Sequence, residues 1–149
     1  MPRLIRANQA DFKPKPLFSA HTYSGTSVTD GSLERMTYST IVTDNYSAWD
    51  NTNGYYLIPV SGFYECVHNV NLSGSTANWV GCYLVHNSTT VAQGWQRDQN
   101  YFDYTPTALK AIVECDVDDK IYFMYHGNYK EPGTSAQYVQ ATVQLVEFS

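Results

Sequence analysis

The chain has 149 residues and a mass of 16.8 kDa, which is enough for one domain with a sizeable core. Only 15% of its residues are charged, whereas it contains 13 Tyr, 6 Phe and 3 Trp, a composition that favours strands and turns over helices. There is no apolar run of about 18 residues, and the N-terminus lacks the apolar core of a signal peptide. We therefore expect no membrane span and no ordinary secretory route.

Charge is unevenly distributed along the chain. Residues 1–16 contain four cations and one acid: Arg3, Arg6, Lys13, Lys15 and Asp11. This segment therefore carries a net charge of +3, which leaves −8 for residues 17–149 because the whole chain carries −5. An acidic body repels phosphate groups, so we expect no nucleic acid partner.

The basic N-terminal segment is punctuated by prolines and has no apolar periodicity. Such a segment is ordered only where it docks on something, so we predict that residues 1–16 form an extended arm that anchors residues 17–149 to another protein. A terminus that merely aids solubility is the alternative. The residues predicted to contact the partner are Arg3, Leu4, Ile5, Arg6, Lys13 and Lys15.

Alternating apolar residues and turn clusters recur about every 8 to 15 residues, which is the pattern of short strands. The predicted strands are 17–22, 35–42, 54–60, 62–72, 78–86, 90–95, 107–115, 120–127 and 137–148. The predicted turns are 24–32, 43–54, 73–78, 86–90, 116–120 and 127–135. Because no amphipathic helix of three turns can be drawn, we predict an all-β, antiparallel sandwich, jelly roll or barrel.

The cysteines and histidines show no metal or catalytic spacing. Cys66, Cys82 and Cys115 are odd in number, and their neighbours of the same parity are mostly apolar, which predicts buried free thiols. His68 and His86 share the parity of core residues, so we expect hydrogen-bonded core or interface histidines rather than catalytic bases. Hydrolase, zinc-protease and nucleotide-binding motifs are missing from the sequence, and we predict a protein without enzymatic activity or cofactor.

Two weaker signals concern ligands. Asp116, Asp118 and Asp119 are able to supply oxygen ligands to calcium from a flexible turn, although a solvated hairpin turn explains them equally. Trp49 and Trp95 are candidates for stacking on a glycan or contacting a receptor, with packing in the core or an interface as the alternative.

One segment has a more specific pattern than the rest. Residues 54–72 read GYYLIPVSGFYECVHNVNL, with Gly54, Pro59, Gly62 and Tyr64 at the positions of the signature "G.F..pv.G.Y.F". The proline suits a strand end, since it cannot donate to a ladder, and the glycine permits the bend into the next strand.

Further segments follow this signature pattern in order along the chain. They are LFSA at 17–20, MTYSTIVTDN at 36–45, Trp49-Asp50, VGCYLVHNSTTVA at 80–92 with its turn residue Asn87, LKAIVECDVDDKIYFMYH at 109–126, and YVQATVQLVEFS at 138–149. Together they resemble the globular head of the complement component 1q / tumour necrosis factor superfamily. Asp118-Asp119 stands where Gly-Asp is usual, and Ala141 replaces a glycine, so the resemblance is that of a distant member.

The resemblance implies a jelly-roll sandwich that forms a homotrimer, and heads of this type occur on phage surfaces and fibres. We therefore predict a non-enzymatic virion structural protein, a capsid decoration or tail-associated trimer that is assembled in the host cytoplasm and held by its N-terminal arm. A lectin-like head that binds a host glycan or a protein receptor through its loops is the alternative. A cupin-like metal enzyme ranks third, because paired histidines with a glutamate are missing from the sequence.

Overall fold

The computed structural model describes residues 14–22, 26–27, 33–73, 79–96, 105–128 and 135–148. Within these ranges all regular secondary structure is β-strand, and no helix there is long and apolar enough to cross a membrane. The strands are β1 (Leu17–Thr22), β2 (Thr26–Ser27), β3 (Leu33–Arg35), β4 (Thr40–Asp44), β5 (Trp49–Asp50), β6 (Tyr55–Leu57), β7 (Gly62–Ser73), β8 (Trp79–His86), β9 (Thr89–Gln96), β10 (Thr105–Cys115), β11 (Lys120–Asn128) and β12 (Ser135–Phe148).

The strands form two antiparallel sheets. The first sheet has the order β10–β7–β12–β1–β4, and β2 also pairs with β12. The second has the order β5–β6–β11–β8–β9, and β3 also pairs with β11. Because the chain passes repeatedly between the sheets from β6 onward, all neighbours in the first sheet are non-consecutive strands, whereas the second sheet keeps the consecutive pairs β5–β6 and β8–β9. The predicted antiparallel jelly-roll sandwich is confirmed.

The predicted strand 35–42 is wrong as a single element. β3 ends at Arg35 in the second sheet, whereas β4 begins at Thr40 in the first sheet. Between them Met36 and Tyr38 are buried, since the chain crosses the core as it passes from one sheet to the other. Alternate burial in a crossing segment has the same period of two as a strand, and for this reason the pattern misled the prediction.

Two segments predicted as turns contain short strands. Thr26–Ser27 lies within 24–32, and Trp49–Asp50 lies within 43–54. Each pairs over only two residues, β2 with β12 and β5 with β6. A ladder of two residues is too short to produce a periodic pattern in the sequence, so only the tertiary pairing defines these strands.

The core lies between the sheets and is unusually aromatic. Tyr56, Tyr64 and Tyr125 are among its largest fully buried side chains. The three cysteines are free and buried, as predicted, and all belong to this core. The positions that form the core alternate along β1, β7, β11 and β12, as expected for strands with one face in the core. The buried apolar residues are Phe18, Ala20, Met36, Tyr38, Tyr56, Ile58, Tyr64, Cys66, Val70, Cys82, Leu84, Val85, Leu109, Val113, Cys115, Ile121, Phe123, Tyr125, Val139, Ala141, Val143 and Leu145.

The signature segment forms the bend from β6 into β7. Pro59 lies after the end of β6, where no ladder hydrogen bond is required of it. Gly62 opens β7 against the end of β12, and a side chain there would collide with the backbone oxygen of Glu147. The hydroxyl of buried Tyr64 donates to the carbonyl oxygen of Val60 at 2.6 Å, which ties the bend to the core. Pro59, Gly62 and Tyr64 therefore shape and stabilise the bend between β6 and β7.

His68 is a core histidine without the hydrogen bonds predicted for it. It is fully buried on β7, with its ring 5.0 Å from that of Phe123. Neither ring nitrogen has a hydrogen-bond partner among the residues that the structure describes. Burial lowers the pKa of His68 from its ordinary value of 6.5 to about 3, because a charged imidazole would be desolvated there.

We predict that His68→Leu removes part of the acid sensitivity of this fold. Between pH 6.5 and about 3 the unfolded chain binds a proton at His68 and the folded chain does not. The free energy of unfolding therefore falls as the pH is lowered through this window, by up to about 1.4 kcal/mol per pH unit. The free energies of unfolding of the parent protein and of His68→Leu, measured with denaturant at pH 7 and pH 4, test this prediction. If the parent protein and His68→Leu lose the same stability between pH 7 and pH 4, the prediction is wrong.

Candidate functional site

The end of the predicted arm is fastened to the head. The carbonyl oxygen of Pro14 accepts a hydrogen bond from the Tyr46 hydroxyl at 2.9 Å, and that of Lys15 accepts one from Asn45 Nδ2 at 2.8 Å. Asn45 Oδ1 in turn accepts from the backbone N–H of Leu17 at 2.9 Å. The turn after β4 therefore binds Pro14 and Lys15, two of the three described residues that precede β1.

Residues 15 and 16 also contact β12, the neighbour of β1 in the first sheet. The backbone N–H of Leu145 donates to the carbonyl oxygen of Pro16 at 3.0 Å, and Lys15 Nζ donates to that of Val146 at 2.7 Å. The same ammonium lies 5.8 Å from the ring centroid of Phe148. Lys15 thus binds the head of its own chain. The other predicted arm contacts lie outside the described residues: Arg3, Leu4, Ile5, Arg6 and Lys13.

Trp49 is packed at the margin of the core. Its ring stacks on that of Phe18 at 4.8 Å with an interplanar angle of 19°, and the Tyr38 ring lies 5.2 Å away. Its indole N–H donates to Asn51 Oδ1 at 3.0 Å. One face of the indole is therefore occupied by a core aromatic, so Trp49 supports packing more directly than recognition.

Trp95 lies on the outer face of the second sheet. It is 46% exposed, and its ring makes edge-to-face contacts with Tyr83 at 5.2 Å and His126 at 5.7 Å. The ring crosses directly over Gly81, where a Cβ would lie 2.9 Å from the indole. Because Gly81 has no side chain, the indole can lie flat between its two ring neighbours. We call Trp95, Tyr83 and His126 the outer aromatic cluster.

A second group of rings lies on β6 and β11. The rings of Tyr55 and Tyr122 are 5.7 Å apart and edge to face. The Arg35 guanidinium lies 4.5 Å above Tyr122, and the Lys120 ammonium lies 4.7 Å above Tyr55. All four side chains are partly or fully exposed. Sequence reasoning missed this group, because alternation along a strand separates two faces without indicating which one is exposed.

The outer face of the first sheet is uncharged at its centre. Ser19, Thr142 and Val67 lie side by side on β1, β12 and β7 and are half-buried, while their neighbours along each strand face the core. The row ends at Lys110 on β10, whose ammonium pairs with Glu65 at 2.7 Å. Ser19, Thr142 and Val67 therefore form a row of small, neutral side chains across three strands, and the ion pair of Lys110 and Glu65 lies to one side of it.

Turns at one end of the sandwich bring together titratable side chains. Asp119 Oδ2 lies 2.7 Å from His86 Nε2, and Asp119 Oδ1 accepts a hydrogen bond from Asn87 Nδ2 at 2.8 Å. Asn87 has a φ of 54°, which confirms its predicted role as a turn residue. The hydrogen bonds, led by that from Asn87, hold the pKa of Asp119 below its ordinary value. Asp119 is therefore ionised at neutral pH.

Cys115 completes this group. The ligand atoms of His86, Cys115 and Asp119 all lie within 4.8 Å of one another. Burial, reinforced by nearby acidic groups such as Asp119, raises the pKa of the Cys115 thiol to about 12, so it stays protonated and is a poor nucleophile. Asp116 and Asp118 are exposed and do not belong to this group, and calcium binding by the three aspartates stays a prediction.

Comparison with known proteins identifies the family. The C1q domain profile matches residues 17–145, although no curated protein sequence matches the chain. Among solved structures, the globular domain of a zebrafish complement 1qA protein superposes with a TM-score of 0.71 at 14% identity, covering 91% of this chain and all of that one.

Two further structures share the fold. Murine APRIL at pH 5.0 superposes with a TM-score of 0.65 at 11% identity, covering 89% of this chain and all of that one. The Eiger TNF structure from S. frugiperda gives a TM-score of 0.58 at 14% identity, covering 90% of this chain and 96% of that one. Domains of this type are often trimeric recognition heads and are typically non-enzymatic. With the profile match extending over most of its length, the chain belongs to the C1q domain family.

Proposed function

We propose that this protein is a homotrimeric, non-enzymatic head that works by binding other macromolecules. The observation that carries the proposal is the neutral centre of the outer face of the first sheet. Ser19, Thr142 and Val67 are already half-buried there, and Ile112, which is opposite Glu65 on the edge strand β10, is 61% exposed. Burying neutral and apolar side chains in a subunit interface avoids the desolvation penalty that charged groups would add.

The first sheet suits a threefold contact better than the second. Where β1 pairs with β12, over Leu17–Thr22 and the residues opposite them, none of the outward side chains is an acid, a lysine or an arginine, whereas cations lie over the outer rings of the second sheet. The outward residues of this paired stretch are Leu17, Ser19, His21, Gln140, Thr142 and Gln144, and the exposed carboxylate of Glu147 lies farther along β12. A trimer built through this face would leave the outer aromatic cluster available to partners.

We predict that Thr142→Arg dissociates the trimer. The substitution would bury an unpaired guanidinium in each copy of the interface, at a cost of several kcal/mol. Light scattering at low concentration should give about three times 16.8 kDa for the unaltered protein and 16.8 kDa for the variant. Gln93→Arg, at an exposed position on the second sheet, is the matched control and should stay trimeric. A monomeric parent protein would contradict the proposal.

We further propose that the trimer is a structural component of a virion, on the capsid or tail, and that residues 1–16 fix it there. The net charge of +3 on this segment suits an acidic protein surface. The hydrogen bonds at Pro14, Lys15 and Pro16 support a role as an anchor, because a load on the arm would pass directly to β12.

We expect deletion of residues 1–13 to leave a folded trimer that no longer joins its assembly. The deletion spares residues 14–16, whose hydrogen bonds belong to the head. Light scattering and thermal unfolding would verify that the shortened protein is a folded trimer. Co-sedimentation with density-purified virions would measure its attachment. Attachment that survives the deletion would contradict the anchoring role. Loss of the trimer would instead place the arm in the subunit interface.

The outer aromatic cluster favours a second function, recognition of a glycan on a host surface. The face of an exposed indole flanked by rings suits the apolar face of a sugar. Trp95 offers such a face, with Tyr83 and His126 at its sides. In this proposal the virion head would also contribute to attachment, since the two roles use different parts of the molecule.

We predict that Trp95→Ala weakens glycan binding about tenfold or more, equivalent to at least about 1.4 kcal/mol, without changing the melting temperature by much. Binding to a glycan array, followed by calorimetry with the best ligand, provides the measurement. Trp49→Ala is the contrasting variant, since loss of its stacking on Phe18 should lower stability and spare binding. If Trp95→Ala binds as well as the parent protein, the cluster is not the glycan site.

A further inference from the structure

Three side chains of different chemistry converge where the sandwich closes. His86 ends β8 in the second sheet, Cys115 ends β10 in the first sheet, and Asp119 lies in the turn between β10 and β11. Along their strands, His86 and Cys115 have the parity of core residues, so both point inward from opposite sheets. Asp119 approaches from the turn that covers this end. The three ligand atoms lie within 4.8 Å of one another.

We propose that His86, Cys115 and Asp119 form a zinc site, with a water molecule as the fourth ligand. A tetrahedral zinc ion with bonds of about 2.0–2.3 Å places its ligand atoms about 3.3–3.8 Å apart. Since no two of these atoms are more than 4.8 Å apart, the widest pair needs to close by at most about 1.5 Å, while the 2.7 Å separation of His86 Nε2 and Asp119 Oδ2 needs to open by about 0.6 Å. The side chains of His86 and Asp119 are 22% and 21% exposed, so both have room to move and the ion has a path from solvent.

The donor set selects the kind of metal. Imidazole and thiolate ligands favour zinc and related transition metals, whereas calcium and magnesium require more oxygen ligands than this group offers. Cys115 favours zinc over calcium and magnesium, because it offers a soft sulfur ligand, whereas those two ions prefer hard oxygen ligands. The calcium hypothesis for the aspartates and the zinc site share only Asp119, so they make different predictions for metal preference.

The turn that carries Asp119 is held in place by neighbouring segments. Ile58 N–H donates to the Asp119 carbonyl oxygen at 2.8 Å, and Asp118 N–H donates to the Ile58 carbonyl oxygen at 2.9 Å. Asn87 Nδ2 donates to the Asp119 carboxylate at 2.8 Å, while Asn87 Oδ1 accepts from Lys120 N–H at 2.9 Å. Asn87 therefore orients the Asp119 carboxylate through a hydrogen bond, as residues next to the ligands do in known metal sites.

Metal binding would exchange existing contacts for three coordinate bonds. His86 Nε2 and Asp119 Oδ2 lie 2.7 Å apart in a hydrogen bond, and Cys115 Sγ donates weakly to the Val113 carbonyl oxygen at 3.7 Å. Zinc forms bonds to the nitrogen, oxygen and sulfur. The S–H bond breaks and its proton passes to solvent, and the proton on Nε2 that bonds Asp119 is also released while the imidazole takes one up at Nδ1, so the ring stays neutral. The ion would then link both sheets through the turn and stabilise the closed end of the sandwich.

Titration of Co²⁺ into the reduced, metal-free, full-length protein tests the proposal. Tetrahedral cobalt with a thiolate ligand gives a sulfur-to-metal charge-transfer band that sites of nitrogen and oxygen lack. We expect one cobalt per chain, this band, its loss when zinc is added, and a rise in melting temperature with zinc. His86→Ala and Cys115→Ser should each weaken binding at least tenfold, and Asn87→Ala about 10- to 100-fold. Cys82→Ser removes another buried thiol and should retain the site.

Two results would overturn the zinc site. One is a cobalt spectrum without the charge-transfer band, and the other is binding that His86→Ala leaves unchanged. If Cys115→Ser fails to fold, His86→Ala and Asp119→Asn decide the question at partly exposed positions, through the band and the effect of zinc on melting. The trimer is tested separately by mass, so its failure and failure of the zinc site are distinguishable.

Discussion

The register of β12 between β7 and β1 is the constraint on which the rest of this fold depends. β12 pairs with β1 along Leu17–Thr22 and with β7 along most of its own length. This register directs Val139, Ala141, Val143 and Leu145 into the core and the residues between them outward. A slip by one residue would exchange the two sets, placing amides and hydroxyls in an aromatic core. One strand therefore sets both the core and the neutral outer face.

The same register explains how the departures from the family pattern are tolerated. Ala141, which replaces a glycine, is buried opposite Ala20 on β1 and His68 on β7. Ala20 is small, and the neighbouring strand accommodates the extra methyl group. His68 is the unfavourable member of this row, because its nitrogens lack hydrogen-bond partners within the described residues. It favours a fold that is most stable at neutral pH, where the imidazole carries no charge.

The architecture separates its chemistry by location. The neutral face of the first sheet suits contact between copies of the chain, and the outer aromatic cluster lies on the opposite sheet. The end of the sandwich gathers His86, Cys115 and Asp119, where the inward parity of two strands meets a turn. The segment that leads into the arm is fastened beside the end of β12. Contact between copies, recognition, metal binding and anchoring thus need not compete for the same residues.

The sequence by itself determined the fold class and nearly all the long strands, and it divided each strand into two faces, because alternation and turn chemistry are local properties of the chain. It also determined that the three cysteines would be buried and free, and it indicated the family through Gly54, Pro59, Gly62 and Tyr64. Only the tertiary structure decided that 35–42 divides between the sheets, since a crossing segment and a strand share the same period. The tertiary structure alone brought His86, Cys115 and Asp119 together. No sequence spacing connects them, because the ends of strands that meet in a jelly roll are far apart in the chain.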